Sequence, residues 1–129
     1  MVASLESSKR LDSIITLGNV VPYGGRTDFK TLRVLWDTGA NFGGVSPELI
    51  CEWDIKPDGY SEIEIADGKK TLQPYYNMLV RFQGGPAFRF KASPVPSKRF
   101  DVLVGMDIIA QGAFLIEPMG DGTRFTFSI

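Results

Sequence analysis

Alternation of apolar and polar side chains recurs along this chain and predicts strands rather than long helices. In residues 60–66 two isoleucines alternate with two glutamates, and in residues 124–129 two phenylalanines and an isoleucine occupy every second position. Residues 102–104 are apolar throughout, as expected for a short strand that is buried on both faces. Strands are predicted at 12–17, 29–36, 60–66, 69–82, around Phe88 and Phe90, and at 102–104, 113–116 and 124–129.

Capping residues between these strands predict two short helices. Ser46 suits a helix N-cap and Pro47 suits the first helical position, so one helix is predicted over 47–53. A second is predicted over 108–111, with Asp107 as its N-cap.

Glycine and proline mark the connections. Residues 20–28 are predicted to form a turn or loop, and Asp67-Gly68 predicts a hairpin with a type I′ turn. The first ten residues are polar and rich in serine, and we expect them to be a flexible arm. Residues 11–129 then form one domain, a mostly antiparallel β fold with one or two short helices.

Composition removes several kinds of catalytic or binding site. The chain has no histidine and one cysteine, so it cannot contain a Ser-His or Cys-His pair, an intrachain disulfide or a Cys/His zinc site. Fourteen basic residues balance fifteen acidic ones, which argues against nucleic acid as the main partner. We expect no cofactor. No run is apolar enough for a membrane span or a signal peptide, so a cytoplasmic location is expected.

The chemistry that remains belongs to carboxylates, and one of them stands out. An apolar, strand-like run at 32–36 leads directly into Asp37, Thr38, Gly39 and Ala40. Without histidine, a carboxylate at the end of a strand is the best candidate for general acid–base catalysis.

The surroundings of this motif resemble a known family. An apolar strand precedes Asp37, a Ser-Pro-Glu helix start follows at 46–48, and an apolar-apolar-Gly segment opens a later helix at 103–105. A hairpin lies between them. In this order the features resemble the retropepsin-like aspartic proteases, the single-domain relatives of pepsin. Residues 101–109 and 111–114, together with the Asp-Gly turn and Phe-x-Phe strand at 121–127, are similar to the bacterial and phage-encoded members, so the resemblance covers about 12–129.

The resemblance implies a fold, a reaction and a set of site residues. The implied fold is the closed, orthogonal β-barrel of the acid proteases, in a dimer. Asp37 resembles the catalytic aspartate, Thr38 the residue whose hydroxyl locks two active-site loops together, and Gly39 the glycine that lets the backbone approach substrate. Gly105 resembles the glycine packed beneath the catalytic loop. The hairpin resembles the flap that closes over a bound peptide, and the substrate-binding residues implied are Ala40, Asn41, Ile65, Ala66, Asp67, Gly68 and Lys69.

The motif occurs once, although the reaction needs two carboxylates around one water. No second Asp-Thr-Gly or Asp-Ser-Gly exists in the chain. We therefore expect an endopeptidase that acts as a symmetric homodimer on a polypeptide substrate, with Asp37 of each subunit at the two-fold axis. The family also suggests that the terminal strands interleave between subunits.

Two departures from the family pattern leave an alternative open. Retroviral members usually carry an arginine after the glycine that Gly105 resembles, and this chain has Met106. The tandem glycines Gly43 and Gly44 suggest a mobile loop. The alternative is a catalytically weak or inactive module that uses the fold to dimerise or bind peptides.

Two further aspartates and two tyrosines could each have either a functional or a structural role. Asp101 and Asp107 could assist Asp37 as acid or metal partners, in a carboxylate-metal hydrolase, but they also suit a strand end and a helix cap. Tyr75 and Tyr76 could line a substrate cleft or be half-buried strand residues.

Overall fold

The computed structural model describes all residues, 1–129, and contains ten strands and two short helices. In chain order the elements are β1 (Ala3–Ser7), β2 (Ile14–Pro22), β3 (Lys30–Trp36), β4 (Gly43–Val45), α1 (Pro47–Trp53), β5 (Gly59–Glu64), β6 (Lys70–Arg81), β7 (Phe88–Pro94), β8 (Val102–Val104), α2 (Met106–Ile109), β9 (Ala113–Met119) and β10 (Gly122–Ser128). The mostly β architecture is confirmed.

Local signals located several elements correctly. Helix α1 has the predicted bounds, and the Ser46 side chain accepts a hydrogen bond from the backbone N–H of Glu48, as an N-cap does. Strand β8 also lies where its apolar run predicted.

Seven strands form one sheet in the order β2-β3-β8-β4-β7-β6-β5. Strand β6 also pairs with β2. The pairings therefore form a ring of six strands, from β2 through β3, β8, β4, β7 and β6 back to β2, and β5 lies outside this ring. Two pairs are parallel, β3 with β8 and β4 with β7, and the rest are antiparallel. The parallel pairs matter for the site, because the ends of neighbouring parallel strands lie at one edge of a sheet.

A three-stranded sheet, in the order β1-β10-β9, packs against the first through aromatic side chains. The Trp36 ring lies 4.6 Å from Phe82 and 5.1 Å from both Phe125 and Phe127, measured between ring centroids. All four residues are buried. Burying a side chain of this size stabilises the fold by about 1.5–3 kcal/mol, so this cluster ties the terminal sheet to the strand that precedes Asp37.

The N-terminus differs from the expected flexible arm. Strand β1 pairs antiparallel with β10, from Ala3 opposite Phe127 to Ser7 opposite Thr123. Val2 and Ala3 are almost completely buried. The polar composition was misleading because the partner of this strand lies more than a hundred residues away in the sequence.

Strand β2 is longer than predicted and continues through Gly18 and into the expected loop, ending at Pro22. Gly18 does not interrupt it. A Cβ atom at Gly18 would lie 3.0 Å from a methyl group of Val34, so the position has room only for a small residue.

Two local predictions were wrong in detail. In the hairpin, Gly68 has a φ of 83° and Asp67 does not have a positive φ, whereas a type I′ turn needs two positive φ values. Gly68 donates to the carbonyl of Ile65, and Ile65 donates to that of Lys69, which fits a three-residue loop closed by a left-handed glycine. Helix α2 begins at Met106 with Gly105 as N-cap, so Asp107 lies inside the helix.

Neither helix is long and apolar enough to cross a membrane.

Candidate active site

Asp37 directly follows β3, which lies between β2 and β8 in the seven-stranded sheet. Its backbone N–H donates to the carbonyl of Val104, the last residue of β8, at 2.9 Å. Because β3 and β8 are parallel, the loop after β3 and the start of α2 emerge side by side. The Asp37 position is therefore set by the sheet.

Hydrogen bonds between its own residues hold the loop from Asp37 to Ala40. The Asp37 Oδ1 atom accepts a hydrogen bond from the N–H of Gly39 at 2.8 Å, and Ala40 N–H donates to the Asp37 carbonyl at 3.2 Å. Asp37 is partly exposed. One carboxylate oxygen is thus oriented by the backbone, and Oδ2 makes no hydrogen bond within the chain.

Helix α2 holds the other side of this loop. Met106 N–H donates to the carbonyl of Ala40 at 2.8 Å, and Asp107 N–H donates to that of Asn41 at 3.1 Å. A Cβ atom at Gly105 would lie only 2.6 Å from the Ala40 carbonyl oxygen, so the contact needs glycine. These backbone bonds connect the two segments, although Met106 occupies the position where the resemblance led us to expect an arginine.

Gly43 and Gly44 do not form a mobile loop. They lie in β4 and are buried, and a Cβ on Gly43 would lie 2.6 Å from both the Leu103 carbonyl oxygen and the Phe90 ring. The glycines allow β4 to lie close to β7 and β8. The prediction of a mobile loop was wrong because the sequence does not show that these two strands pack against β4.

A cavity of about 430 Å³ lies beside the carboxylate. Asp37 and Thr38 line it together with Leu35 and Trp36, which directly precede them. Two other parts of the chain contribute the remaining lining residues, which are Leu11, Asp12, Ser13, Ile14, Phe114 and Ile116. Sequence reasoning missed the contributions of 11–14 and of β9. The apolar run at 113–116 predicted a strand, but no local signal places it next to Asp37.

Thr38 is exposed, and its hydroxyl makes no hydrogen bond within the chain. A single chain therefore does not contain the lock between two loops that the resemblance implies for this residue.

The predicted substrate-binding residues lie in two separate places. Ala40 and Asn41 are in the loop beside α2, whereas Ile65, Ala66, Asp67, Gly68 and Lys69 form the exposed tip of the β5–β6 hairpin. The tip is ordered by its own bonds, including Lys69 N–H to the Asp67 carboxylate at 2.9 Å. No hydrogen bond joins the tip to the Asp37 loop, and none of its residues lines the cavity.

One face of the hairpin carries apolar side chains that the sequence analysis did not select. Leu72, Pro74 and Tyr76 alternate along β6 and lie on the same face of the strand, and the Tyr76 side chain points into the core. Tyr60 on β5 is directly opposite Pro74, so its side chain lies on this face too. Leu72 is 67% exposed and Tyr60 is 65% exposed. Tyr76 is buried, which raises its hydroxyl pKa, so the cleft interpretation fits Tyr60 better than Tyr76.

The other candidate acids lie elsewhere. The Asp101 carboxylate binds the Arg33 side chain, whose hydrogen bonds hold the pKa of Asp101 below its usual value. Asp107 is half-buried in α2, and burial raises the pKa of its carboxyl group. Neither residue lines the Asp37 cavity. No group of three or more potential metal-ligating side chains occurs in the structure.

Comparisons with known proteins add fold-level information. No protein-family model matches the chain, and no curated protein sequence does. Among solved structures, the chain is similar to a retropepsin-like aspartic protease from Rickettsia conorii, with a TM-score of 0.60 and 14% sequence identity. The similarity covers 97% of this chain and 91% of the Rickettsia chain. At this identity the comparison establishes that the chain has a retropepsin-like fold.

Proposed function

We propose that this protein is an aspartic endopeptidase that works as a homodimer, with one catalytic Asp37 from each subunit. The observation that carries the proposal is the Asp37 carboxylate, oriented by the Gly39 N–H at 2.8 Å beside a cavity with both apolar and polar lining in a retropepsin-like fold. The ring of strand pairings supports the expected closed barrel.

The reaction requires the two carboxylates to share one proton. Two negative charges a few ångströms apart repel each other, so one carboxyl group stays protonated while the other is ionised, as in known aspartic proteases. The ionised group takes a proton from water as the water oxygen attacks the scissile carbonyl carbon. The protonated group donates a hydrogen bond to the carbonyl oxygen, and a proton then passes to the leaving nitrogen as the C–N bond breaks.

The remaining site residues are assigned supporting roles. We assign the Thr38 hydroxyl a hydrogen bond to the partner's loop, which is consistent with its exposure and its lack of a bond within the chain. An extended peptide would lie between Ala40 and Asn41 on one side and the hairpin tip, 65–69, on the other, bound as an added strand. Leu72 and Tyr60 would contribute apolar contacts from the exposed hairpin face.

The decisive experiment replaces the carboxylate and keeps its size. Asp37→Asn should reduce cleavage of a denatured protein between pH 4 and 7 by a factor of about 10²–10⁴ or more, because the amide cannot transfer the proton. A statine-type inhibitor should block the parent enzyme. Asp121→Asn is the matched control, since Asp121 is exposed in the β9–β10 turn and should leave the rate unchanged.

Equal cleavage by Asp37→Asn and the parent would refute the proposal. Absence of any cleavage by the parent would favour the peptide-binding or dimerisation module, and loss of cleavage on chelation would favour a metal hydrolase.

A further inference from the structure

One face of the seven-stranded sheet carries three exposed basic residues that have no acidic partner. They are Arg81 at the end of β6, and Arg89 and Lys91 in β7. Every ion pair in the chain involves basic residues other than these three. The positive charge of this basic row (Arg81, Arg89 and Lys91) is therefore not neutralised by direct contact with a carboxylate.

The strand register brings the three side chains together. The residues that alternate with them along β6 and β7 are buried in the core, so the basic row points away from it. Arg89 and Lys91 are two positions apart along β7, about 7 Å. Arg89 is directly opposite Leu79, and Arg81 is the diagonal neighbour of Arg89 at about 7–8 Å, on the side away from Lys91. The three charges thus have nearly even spacing, and their repulsion is unfavourable in the free chain.

An aromatic ring supports each cation of the basic row. The distances from cation to ring centroid lie between 4.1 and 5.0 Å, and the pairs are Arg81 with Phe29, Arg89 with Tyr23, and Lys91 with Tyr75. Contacts of this kind restrict long side chains before any ligand arrives. Binding to the basic row therefore costs less conformational entropy than binding to freely rotating side chains.

A cavity of about 350 Å³ opens on the same face. Its lining residues are Phe42, Asn77, Arg89, Phe90, Lys91 and Asp107, and none of them lines the Asp37 cavity. Asp107 is the acidic residue among them, and its Oδ1 atom accepts a hydrogen bond from the backbone N–H of Ile108 at 3.0 Å. Arg89 and Lys91 therefore remain available to an anionic ligand in this cavity.

We propose that this face binds an acidic segment of another polypeptide in extended conformation, and that Arg81, Arg89 and Lys91 each contact one of its carboxylates. Side chains on one face of an extended peptide are also about 7 Å apart, so acidic residues at every second position match the basic row. Arginine binds a carboxylate through two N–H groups, whereas lysine binds it as a point charge. The bound carboxylates relieve the repulsion between the three cations.

Other anionic partners suit this face less well. Single-stranded nucleic acid binds largely by stacking its bases on aromatic rings, and here the cations already cover the ring faces. The whole chain has fourteen basic and fifteen acidic residues, so a long polyanion would meet negative charge beyond this face. A membrane surface is less suitable because no large apolar side chain of β7 is exposed.

Two synthetic peptides test the charge requirement. One has glutamate at every second position with serine between, and the other has glutamine in place of each glutamate. Fluorescence anisotropy at low salt should show that the full chain binds the glutamate peptide at least about tenfold more tightly than the glutamine peptide. Raising the ionic strength from about 0.05 M to about 0.5 M should weaken this binding, because salt screens exposed charge pairs.

Neutral substitutions locate the contacts. The triple variant Arg81→Gln, Arg89→Gln, Lys91→Gln should bind the glutamate peptide at least about tenfold more weakly than the parent. Circular dichroism reports whether the variant has folded.

The matched control removes the same charge elsewhere. The triple variant Lys9→Gln, Arg10→Gln, Lys98→Gln changes three exposed basic residues that also form no ion pair. It should change the affinity for the glutamate peptide by less than about twofold.

Several results would overturn the inference. An equal loss of affinity in both triple variants would mean that only net charge attracts the peptide. A parent chain that does not bind the glutamate peptide, or that binds an oligothymidylate of equal charge more tightly, would also refute it. Self-association that the Arg81, Arg89, Lys91 variant loses and the control keeps would assign this face to a second copy of the chain instead.

The test is independent of the protease proposal. A saturating statine-type inhibitor should leave the affinity for the glutamate peptide unchanged, because the basic row shares no residue with the Asp37 cavity. Competition between the two would place the peptide in that cavity and overturn the inference. Asp37→Asn should bind the glutamate peptide as the parent does. Failure of the parent to cleave protein leaves this inference intact, and failure to bind the peptide leaves the protease proposal intact.

Discussion

Two aspartates that look alike in the sequence have opposite electrostatic environments. Asp101 accepts hydrogen bonds from the backbone N–H, Nε and Nη2 of Arg33, and its pKa is lowered. Asp107 is half-buried, and its pKa is raised mainly by that burial. Ionisation of Asp101 therefore favours the folded state, whereas ionisation of Asp107 opposes it. Asp101 therefore has a structural role, as the ion-pair partner of Arg33, and its position at the end of a strand does not by itself explain its environment.

Asp101→Asn should lower the free energy of unfolding at pH 7 by about 1 kcal/mol. This is less than a fully buried hydrogen bond to a charged group contributes, because Arg33 is partly exposed and solvent screens the pair. A lowered carboxyl pKa gives stability that is present above pH about 4 and is lost as pH falls through the folded pKa. The difference between parent and variant should therefore shrink below pH 4 in urea titrations. Asp28→Asn, in a more exposed pair with Arg26, should have a much smaller effect, and equal effects would contradict this account.

At the scale of elements, the β5–β6 hairpin shows how far local signals reach. The Asp-Gly pair located the turn correctly, and the register runs without a bulge from Glu64 opposite Lys70 to Gly59 opposite Tyr75. The face of each side chain was harder to assign, because it depends on which side of β6 meets the core. Only the burial of Tyr76, Met78 and Val80, further along the strand, shows which face of β6 meets the core. Leu72 lies on that same face.

Leu72→Ala should weaken peptide cleavage with little loss of stability, because the side chain is 67% exposed in the free chain. Losing an apolar contact with substrate of about 1.5 kcal/mol corresponds to a reduction in kcat/KM of roughly tenfold. Steady-state kinetics with a peptide substrate measures it. Leu17→Ala, similarly exposed on β2, should leave kcat/KM unchanged, and an equal loss in both variants would remove Leu72 from the substrate site.

At the scale of the whole molecule, the aromatic cluster around Trp36 joins the terminal sheet to the strand that carries Asp37. The same sheet presents β9 at the cavity beside that carboxylate. The packing of the two sheets therefore fixes this wall of the cavity relative to the proposed catalytic group.

Mixing subunits tests whether activity is shared. If two Asp37 residues form one centre, adding an equal amount of Asp37→Asn chain to the parent and allowing exchange should reduce total activity to about half, because half of the parent subunits then pair with an inactive partner. Independent active monomers would keep their full activity. Asp121→Asn added in the same amount is the control and should not lower the activity.

The sequence by itself determined the features that depend on neighbouring residues: the strand alternation, the capped helix α1, the position of the hairpin turn and the strand that leads into Asp37. These follow from side-chain periodicity, caps and turn residues, which act over a few positions. Only the tertiary structure decided that β1 is a strand, that Gly43 and Gly44 are packed, and that Phe114 and Ile116 lie beside Asp37. Each of these depends on contacts between residues distant in the chain, where burial and strand pairing override local composition.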